Sequence, residues 1–128
     1  MMSIPVELKE LAEAISRYRF AYLMTVTDQG TPHAVQVAAT LQDNKLVINH
    51  IGSRTRHNTL ARSTVGLVWP PQSEADYSLI VDGQATVIGE SLSIIPTRAV
   101  LHRPRSATSP DKRGNCGADC VEINLTPQ

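Results

Sequence analysis

The chain begins with a helical repeat of apolar positions and continues with short segments in which apolar and polar positions alternate. Between Leu8 and Tyr18, apolar side chains recur three to four residues apart, with charged residues between them. This spacing predicts an amphipathic helix. Ser3 is placed to cap that helix, and Pro5 fits its first turn. We expect the helix to cover one side of a β-sheet.

Six later segments have the alternation and the β-branched content of strands. They are residues 20–26, 33–41, 45–50, 65–69, 77–89 and 120–125. Gly83 interrupts the longest segment, which indicates a bulge or a bend, as in a sheet that curls into a barrel. The stretch "PTRAVLHR" (96–103) predicts a short helix, and residues 104–119 predict a polar loop. The expected fold is mainly β: a single domain (1–128) with a small antiparallel barrel of six strands and flanking helices.

Charge and composition narrow the classes of function. The 128 residues contain 12 Lys and Arg against 12 Asp and Glu. The chain therefore lacks the basic field of a nucleic-acid or membrane-surface binder. The N-terminus lacks the features of a signal peptide, and no segment has the roughly 18 apolar residues that span a bilayer. We expect a cytoplasmic protein. Cys116 and Cys120 form a C-x-x-x-C pair without the second ligand pair of a zinc site, so no metal is expected.

A basic connector, residues 51–63 ("IGSRTRHNTLARS"), separates two apolar strands. Arg54 and Arg56 offer guanidinium groups, and Ser53 and Thr55 offer hydroxyls. Together these groups suit a compact anion such as phosphate. A helix beginning here would point its first backbone N–H groups at the same place. The alternative is a solvated turn with its arginines in water. The glycine-rich phosphate motifs G-x-x-x-x-G-K-[ST] and G-x-G-x-x-G do not occur in the sequence.

No group of residues has the spacing of a known catalytic motif. The four histidines follow no metal-ligand spacing, and Ser53 does not stand in a G-x-S-x-G turn. Chemistry is therefore expected to come from a bound cofactor, and the catalytic residues stay unassigned. His50 and His57 are candidates for a proton donor beside that cofactor, with a structural hydrogen bond as the alternative role.

The order of these segments resembles the pyridoxamine 5′-phosphate oxidase-like FMN-binding split-barrel superfamily. The resemblance covers residues 8–89 and, more loosely, the closing "VEINL". The shared features are a D-x-G-x-P turn, the basic connector with N-x-L, and a long strand with G-x-A. They stand here at Asp28, Gly30 and Pro32, at Asn58 and Leu60, and at Gly83 and Ala85.

The resemblance implies a six-stranded split barrel that forms a homodimer with FMN at the interface. It also implies a flavin-dependent oxidoreductase that exchanges a hydride with a small organic substrate. In such a protein the connector grips the FMN phosphate, while residues 35–37 and 49–50 lie along the flavin ring. The predicted cofactor-binding residues are Val35, Gln36, Val37, Asn49, His50, Ser53, Arg54, Thr55, Arg56 and Asn58. The deazaflavin F420 is the alternative cofactor.

Two departures from the family pattern refine this prediction. The family often has a lysine three residues before the asparagine; that position is Thr55 here, and Arg54 or Arg56 takes the lysine's place. The oxidase also carries a C-terminal motif for the vitamin phosphate, which "VEINLTPQ" lacks. Pyridoxamine phosphate is therefore not the expected substrate.

Two other functions stay open. The protein could be a non-catalytic binding protein or sensor for flavin, F420 or haem, or a structural dimer without a ligand.

Overall fold

The computed structural model describes the backbone of residues 2–5, 8–104 and 118–124, and the side chains of residues 9–104. Within these ranges the chain forms nine strands and two helices. The strands are β1 (Met2–Pro5), β2 (Ala21–Val26), β3 (Pro32–Val37), β4 (Ala39–Gln42), β5 (Lys45–Ile48), β6 (Thr64–Trp69), β7 (Ser78–Ile88), β8 (Ser91–Pro104) and β9 (Ala118–Asn124). The helices are α1 (Leu8–Ser16) and α2 (Ser53–Ala61). Neither helix has the length and hydrophobicity to cross a membrane.

The described strands form one curled sheet. Hydrogen-bonded neighbours follow the order β1-β9-β8-β7-β6-β2-β3, and β5 joins β4 to the first part of β8. Starting from β3, the hydrogen-bonded neighbours run through β2, β6, β7, β8 and β5 to β4. In the sequence β4 is separated from β3 only by Ala38, so the sheet curls round until its two ends lie together. The described pairs are antiparallel except β1 with β9. The predicted mainly β, split-barrel class is confirmed.

The predicted count of six strands is wrong in detail, since nine strands are described. The expected strand 33–41 is interrupted at Ala38 and becomes β3 and β4. Residues 96–103, predicted as a helix, are instead the second half of β8. There β7 pairs with one edge of the strand and β9 with the other. These two ladders satisfy the backbone polar groups, and this pairing outweighs the local helix preference.

The N-terminal segment also differs from its prediction. Ser3 and Pro5 do not cap the first helix, because they lie in β1, where the backbone pairs with β9. The helix begins later, at Leu8. The helix itself is confirmed: Leu11 is fully buried, and Ile15 and Tyr18 pack against the core.

The core lies within the curled sheet and is formed by alternate residues of its strands. The largest fully buried apolar side chains include Leu23, Leu67, Trp69, Leu79, Leu92 and Ile94. The pairing of β7 with β8 changes register between Asp82 and Gly83, which confirms the predicted bulge. This irregularity lies where a curled sheet needs extra twist.

Candidate functional site

A cavity of about 620 Å³ lies between β3, β5 and the first turn of α2. This volume is within the range of small-molecule sites, roughly 300–1,000 Å³. Eight of the ten predicted cofactor-binding residues line it: Val35, Gln36, Val37, Asn49, His50, Ser53, Arg54 and Thr55. The fold therefore brings β3 against the segment that runs from the end of β5 into α2. We call this space the flavin cavity, after the ligand that the sequence analysis predicts for these residues.

One wall of the flavin cavity is apolar. Val35 and Val37 on β3 are partly buried and pack against the core, and Val47 and Ile48 of β5 face the same space. Val35 and Val37 share one side of β3 because alternate residues of a strand point the same way. The aliphatic side chains of this wall offer a planar organic ring an apolar surface.

The other end of the cavity is the N-terminus of α2. Gly52 is the N-cap residue, has an extended backbone, and offers no side chain to cap the helix. The first hydrogen bond of the helix runs from the Arg56 backbone N–H to the Gly52 carbonyl oxygen, 3.0 Å away. The N–H groups of Ser53, Arg54 and Thr55 thus have no partner within the helix. Together with the helix dipole they form an anion-binding end.

The two arginines of the connector have different positions. Arg54 lines the flavin cavity and also a second cavity of about 500 Å³, formed with the turn between β2 and β3. Arg56 lines neither of these cavities, and its Nη1 donates a hydrogen bond to the backbone oxygen of Gly89. The structure thus brings one guanidinium, not two, to the anion-binding end.

Asn58 is a buried part of the fold, not of the flavin cavity. Its side chain is 2% exposed, and Nδ2 donates to Thr25 Oγ1 at 3.0 Å. This bond joins α2 to β2. Asn58 lines the second cavity, so it lies beside the candidate site without contributing to its wall.

Sequence analysis missed an ion-pair cluster that fixes α2. Asp28, in the turn between β2 and β3, accepts hydrogen bonds from His57 Nε2 at 2.8 Å and Arg62 Nη1 at 3.1 Å. These bonds, first that from His57 and then that from Arg62, hold the pKa of the Asp28 carboxyl below its ordinary value. Asp28 was found only as part of the turn motif. Its hydrogen bonds form only when the turn after β2 meets α2 in the folded chain. In the sequence, nothing but the opposite charges of the side chains could have indicated this pairing.

Two histidines in the cavity wall have unusual environments. His50, directly before the connector, has a left-handed backbone with φ of 59°, which is uncommon outside glycine. His33, on β3, has a buried Nδ1 without a hydrogen-bond partner. Sequence analysis gave His33 no role.

Among the described side chains, no three His, Cys, Asp or Glu residues are placed to hold a metal ion. The side chains of Cys116 and Cys120 lie outside the described residues.

The curled antiparallel sheet with its two helices is a split-barrel fold, and solved structures agree. A pyridoxamine 5′-phosphate oxidase-related, FMN-binding protein from Nostoc punctiforme superposes with a TM-score of 0.58 at 11% identity, covering 93% of this chain and 96% of that one. An F420 reductase gives 0.59 at 16% identity, with 75% and 98% covered. General stress protein 26 from Bacillus anthracis gives 0.61 at 16%, with 73% and 92% covered. The predicted split-barrel fold is confirmed.

Sequence relatives identify the narrower group. The chain is 40% identical over 136 residues to an uncharacterised protein of Mycobacterium tuberculosis, covering 94% of this chain and 96% of the relative. An uncharacterised protein of Mycobacterium bovis matches to the same extent. The chain belongs to the family of these mycobacterial proteins. No established protein-family profile matches it.

Proposed function

We propose that the protein binds FMN in the flavin cavity and acts as a flavin-dependent oxidoreductase on a small organic substrate other than pyridoxamine phosphate. The observation that carries this proposal is the pairing of an apolar wall with an anion-binding helix end in one cavity of about 620 Å³. FMN has the same two parts, a planar ring system and a terminal phosphate. The FMN-binding protein of the same fold from Nostoc punctiforme supports the choice of ligand.

The phosphate would be held by the first turn of α2. A phosphate monoester carries roughly −1.5 to −2 charges at neutral pH and three strong acceptor oxygens. The backbone N–H groups of residues 53–55, the Ser53 hydroxyl and the Arg54 guanidinium are donors that line the cavity. Each hydrogen bond to a charged group contributes about 1.5–3 kcal/mol. The chain is neutral overall, so this attraction is local to the helix end.

The ring system would lie on the apolar wall formed by Val35, Val37 and Val47. Bound flavin supplies the ability to accept or donate a hydride, which protein side chains lack. The residues of the chain orient the ring, exclude water from one of its faces and hold the phosphate. His50 lines the same cavity and is the residue we propose for contact with the polar edge of the ring or with the substrate.

F420 is the second candidate ligand, because an F420 reductase has the same fold. A deazaflavin shares the ring outline and a phosphate group with FMN, so the same wall and helix end suit both. The two ligands differ in mass and in absorbance. The identity of a co-purifying ligand therefore separates them directly.

Absorbance and mass spectrometry of the purified protein test the proposal. We expect a yellow protein, or one that becomes yellow on reconstitution with FMN, and a flavin band that a nicotinamide nucleotide or reduced F420 bleaches. A flavin band that no donor changes would leave binding without turnover. A Soret band would show haem as the ligand instead. A colourless protein that resists reconstitution with FMN and F420 would contradict the proposal.

Arg54→Ala should weaken FMN binding, because the variant loses the guanidinium that lines the cavity. We expect the dissociation constant to rise by about 10- to 150-fold, which corresponds to roughly 1.5–3 kcal/mol. Riboflavin, which has no phosphate, should bind both proteins equally. Fluorescence titration with the two ligands measures both values.

Arg56→Ala is the matched control for this experiment. It removes the same charge from the same helix, but Arg56 donates to Gly89 and does not line the cavity. Its effect on FMN affinity should be much smaller than that of Arg54→Ala. Equal losses in the two variants would mean that general electrostatic attraction, not a contact from Arg54, holds the phosphate.

A further inference from the structure

We propose that Ser91 is a positioning residue for the ring-binding part of the flavin cavity. Its hydroxyl holds the side-chain amide of Asn49 so that Nδ2 is left to donate a hydrogen bond to a carbonyl oxygen of the flavin ring. This inference rests on the proposed function of the cavity. It adds a residue of β8 that does not itself line the cavity.

The first argument is the contact between the two side chains. Ser91 Oγ donates a hydrogen bond to Asn49 Oδ1 at 2.9 Å, across 42 residues of sequence. The bond joins the start of β8 to the residue that follows β5. The backbone supports it, because the Ile51 N–H donates to the carbonyl oxygen of Glu90 at 2.9 Å. The turn between β7 and β8 therefore holds this segment of the cavity wall through a side chain and through the backbone.

The second argument is the accessible amide nitrogen of Asn49. Nδ2 carries two N–H donors, and neither has a partner in the part of the chain that the structure describes. The residue is exposed and lines the flavin cavity, so a ligand in that cavity can reach it. Ser91 does not line the cavity. The amide oxygen is thus turned towards β8, and the nitrogen is the polar atom left for the ligand.

The third argument is chemical. An asparagine amide can present either its oxygen or its nitrogen to a ligand, because rotation of the group exchanges the two. A hydroxyl that donates to the oxygen removes this choice, and the cavity then meets a donor. Asn49 continues the segment of Val47 and Ile48, which belong to the apolar wall. A donor at the margin of a ring-binding surface suits the carbonyl oxygens of a flavin or deazaflavin ring.

Binding of FMN and riboflavin to Ser91→Ala tests the inference. We expect the dissociation constants of both ligands to rise by about two- to tenfold, the usual effect of one neutral hydrogen bond. The two factors should be equal, because the ligands share the ring and differ in the phosphate. Ser91→Thr keeps the hydroxyl and should keep the affinity. Fluorescence titration measures all four values.

Ser63→Ala is the matched control for a purely structural effect. Ser63 Oγ also donates to a side-chain amide oxygen, that of Gln84, at 2.9 Å. Neither of these residues lines the flavin cavity. The variant should lower the unfolding midpoint about as much as Ser91→Ala does, and leave the affinity for both ligands unchanged. Equal losses of affinity in the two variants would overturn the inference.

Variants of Asn49 show whether Ser91 acts through this amide. In Asn49→Ala the contact is absent, so adding Ser91→Ala should cause no further loss of affinity. Asn49→Asp keeps an oxygen for Ser91 but has no donor for the ring. It should bind riboflavin no better than Asn49→Ala does. Riboflavin is the ligand for this comparison, because the added charge would also repel a phosphate.

The outcomes separate this inference from the proposed function. If the wild-type protein binds neither FMN nor F420, the proposed function fails, and the role of Ser91 fails with it. If the wild type binds FMN and Ser91→Ala binds it equally well, only the role of Ser91 is wrong. A loss that persists in the Asn49→Ala background would also contradict it, as would a loss for FMN that riboflavin does not share.

Discussion

Gly83 lies so close to β8 that the backbone leaves no room for a Cβ atom at this position. That Cβ would lie 2.5 Å from Ile94 Cγ2 and 2.7 Å from the backbone oxygen of Ile95. Real Cβ atoms do not approach other atoms so closely, and the oxygen belongs to a paired strand that cannot easily move. The residue is needed for close approach at the bulge, where the sheet bends around its core.

Gly83→Ala should destabilise the protein by about 1–3 kcal/mol, because overpacking forces a shift in the buried ladder of β7 and β8. Urea unfolding measures this difference. Gly66→Ala is the control in the neighbouring strand, since its Cβ would be 3.4 Å from the flexible end of Met24. It should change stability by no more than about 0.5 kcal/mol. Equal effects of the two substitutions would contradict the packing argument.

At the scale of the element, the middle of α2 and its C-cap residue, Arg62, are bonded to β2 and to the turn that follows β2. Asn58 bonds Thr25 within the core, and His57 and Arg62 bond the carboxylate of Asp28 at the surface. α2 has few apolar residues, so these polar contacts do much of its positioning. They fix the direction of its N-terminus and hence the direction in which the anion-binding end faces.

The stability difference between wild type and Asp28→Asn should depend on pH. The folded-state pKa of Asp28 lies below its unfolded value, about 3.9. The pairs therefore stabilise the fold above that unfolded pKa, and the contribution is lost as the pH falls through the folded-state pKa. Urea unfolding from pH 7 to pH 2 should show the difference narrowing below about pH 4. Added salt should reduce it at pH 7, since Asp28 is 51% exposed. A difference that stays constant across this range would contradict the assignment.

At the scale of the whole molecule, the outward face of the sheet carries apolar side chains in register. Tyr22 is opposite Val68, which is opposite Ile80, on three adjacent strands. Tyr22 is 40% exposed and stacks edge-on with Phe20. Exposed apolar patches of this kind mark interaction surfaces. This face supports the homodimer that the family resemblance of the sequence predicts.

Light scattering during size-exclusion chromatography should give twice the chain mass of 13.9 kDa. Tyr22→Lys should shift the protein towards the monomer, because burying an unpaired charge in an interface is costly. Leu60→Lys is the control: Leu60 is 65% exposed on α2, whose buried contact is with the inward side of β2. A wild-type monomer at micromolar concentration would contradict the proposal, as would equal dissociation of both variants.

The sequence alone determined the class of fold and much of the candidate site. A strand that buries one face has an apolar residue at every second position, so alternation of apolar and polar residues predicts the strands. A helix that buries one face has apolar residues three to four positions apart, and this spacing around Leu11 predicts α1. The basic connector stood out because several donors follow one another in the chain. Eight of the ten residues predicted to bind the cofactor line one cavity.

Tertiary structure alone decided the rest. Residues 96–103 became a strand because β7 and β9 supply partners on both edges, and no local pattern records such partners. The separation of Arg54 from Arg56, the pairing of Asp28 with α2 and the buried Nδ1 of His33 all depend on segments that meet only in the folded chain. A sequence records which chemical groups are present and their local period. Which of them share a cavity is fixed by long-range packing, because contacts between distant segments leave no local pattern.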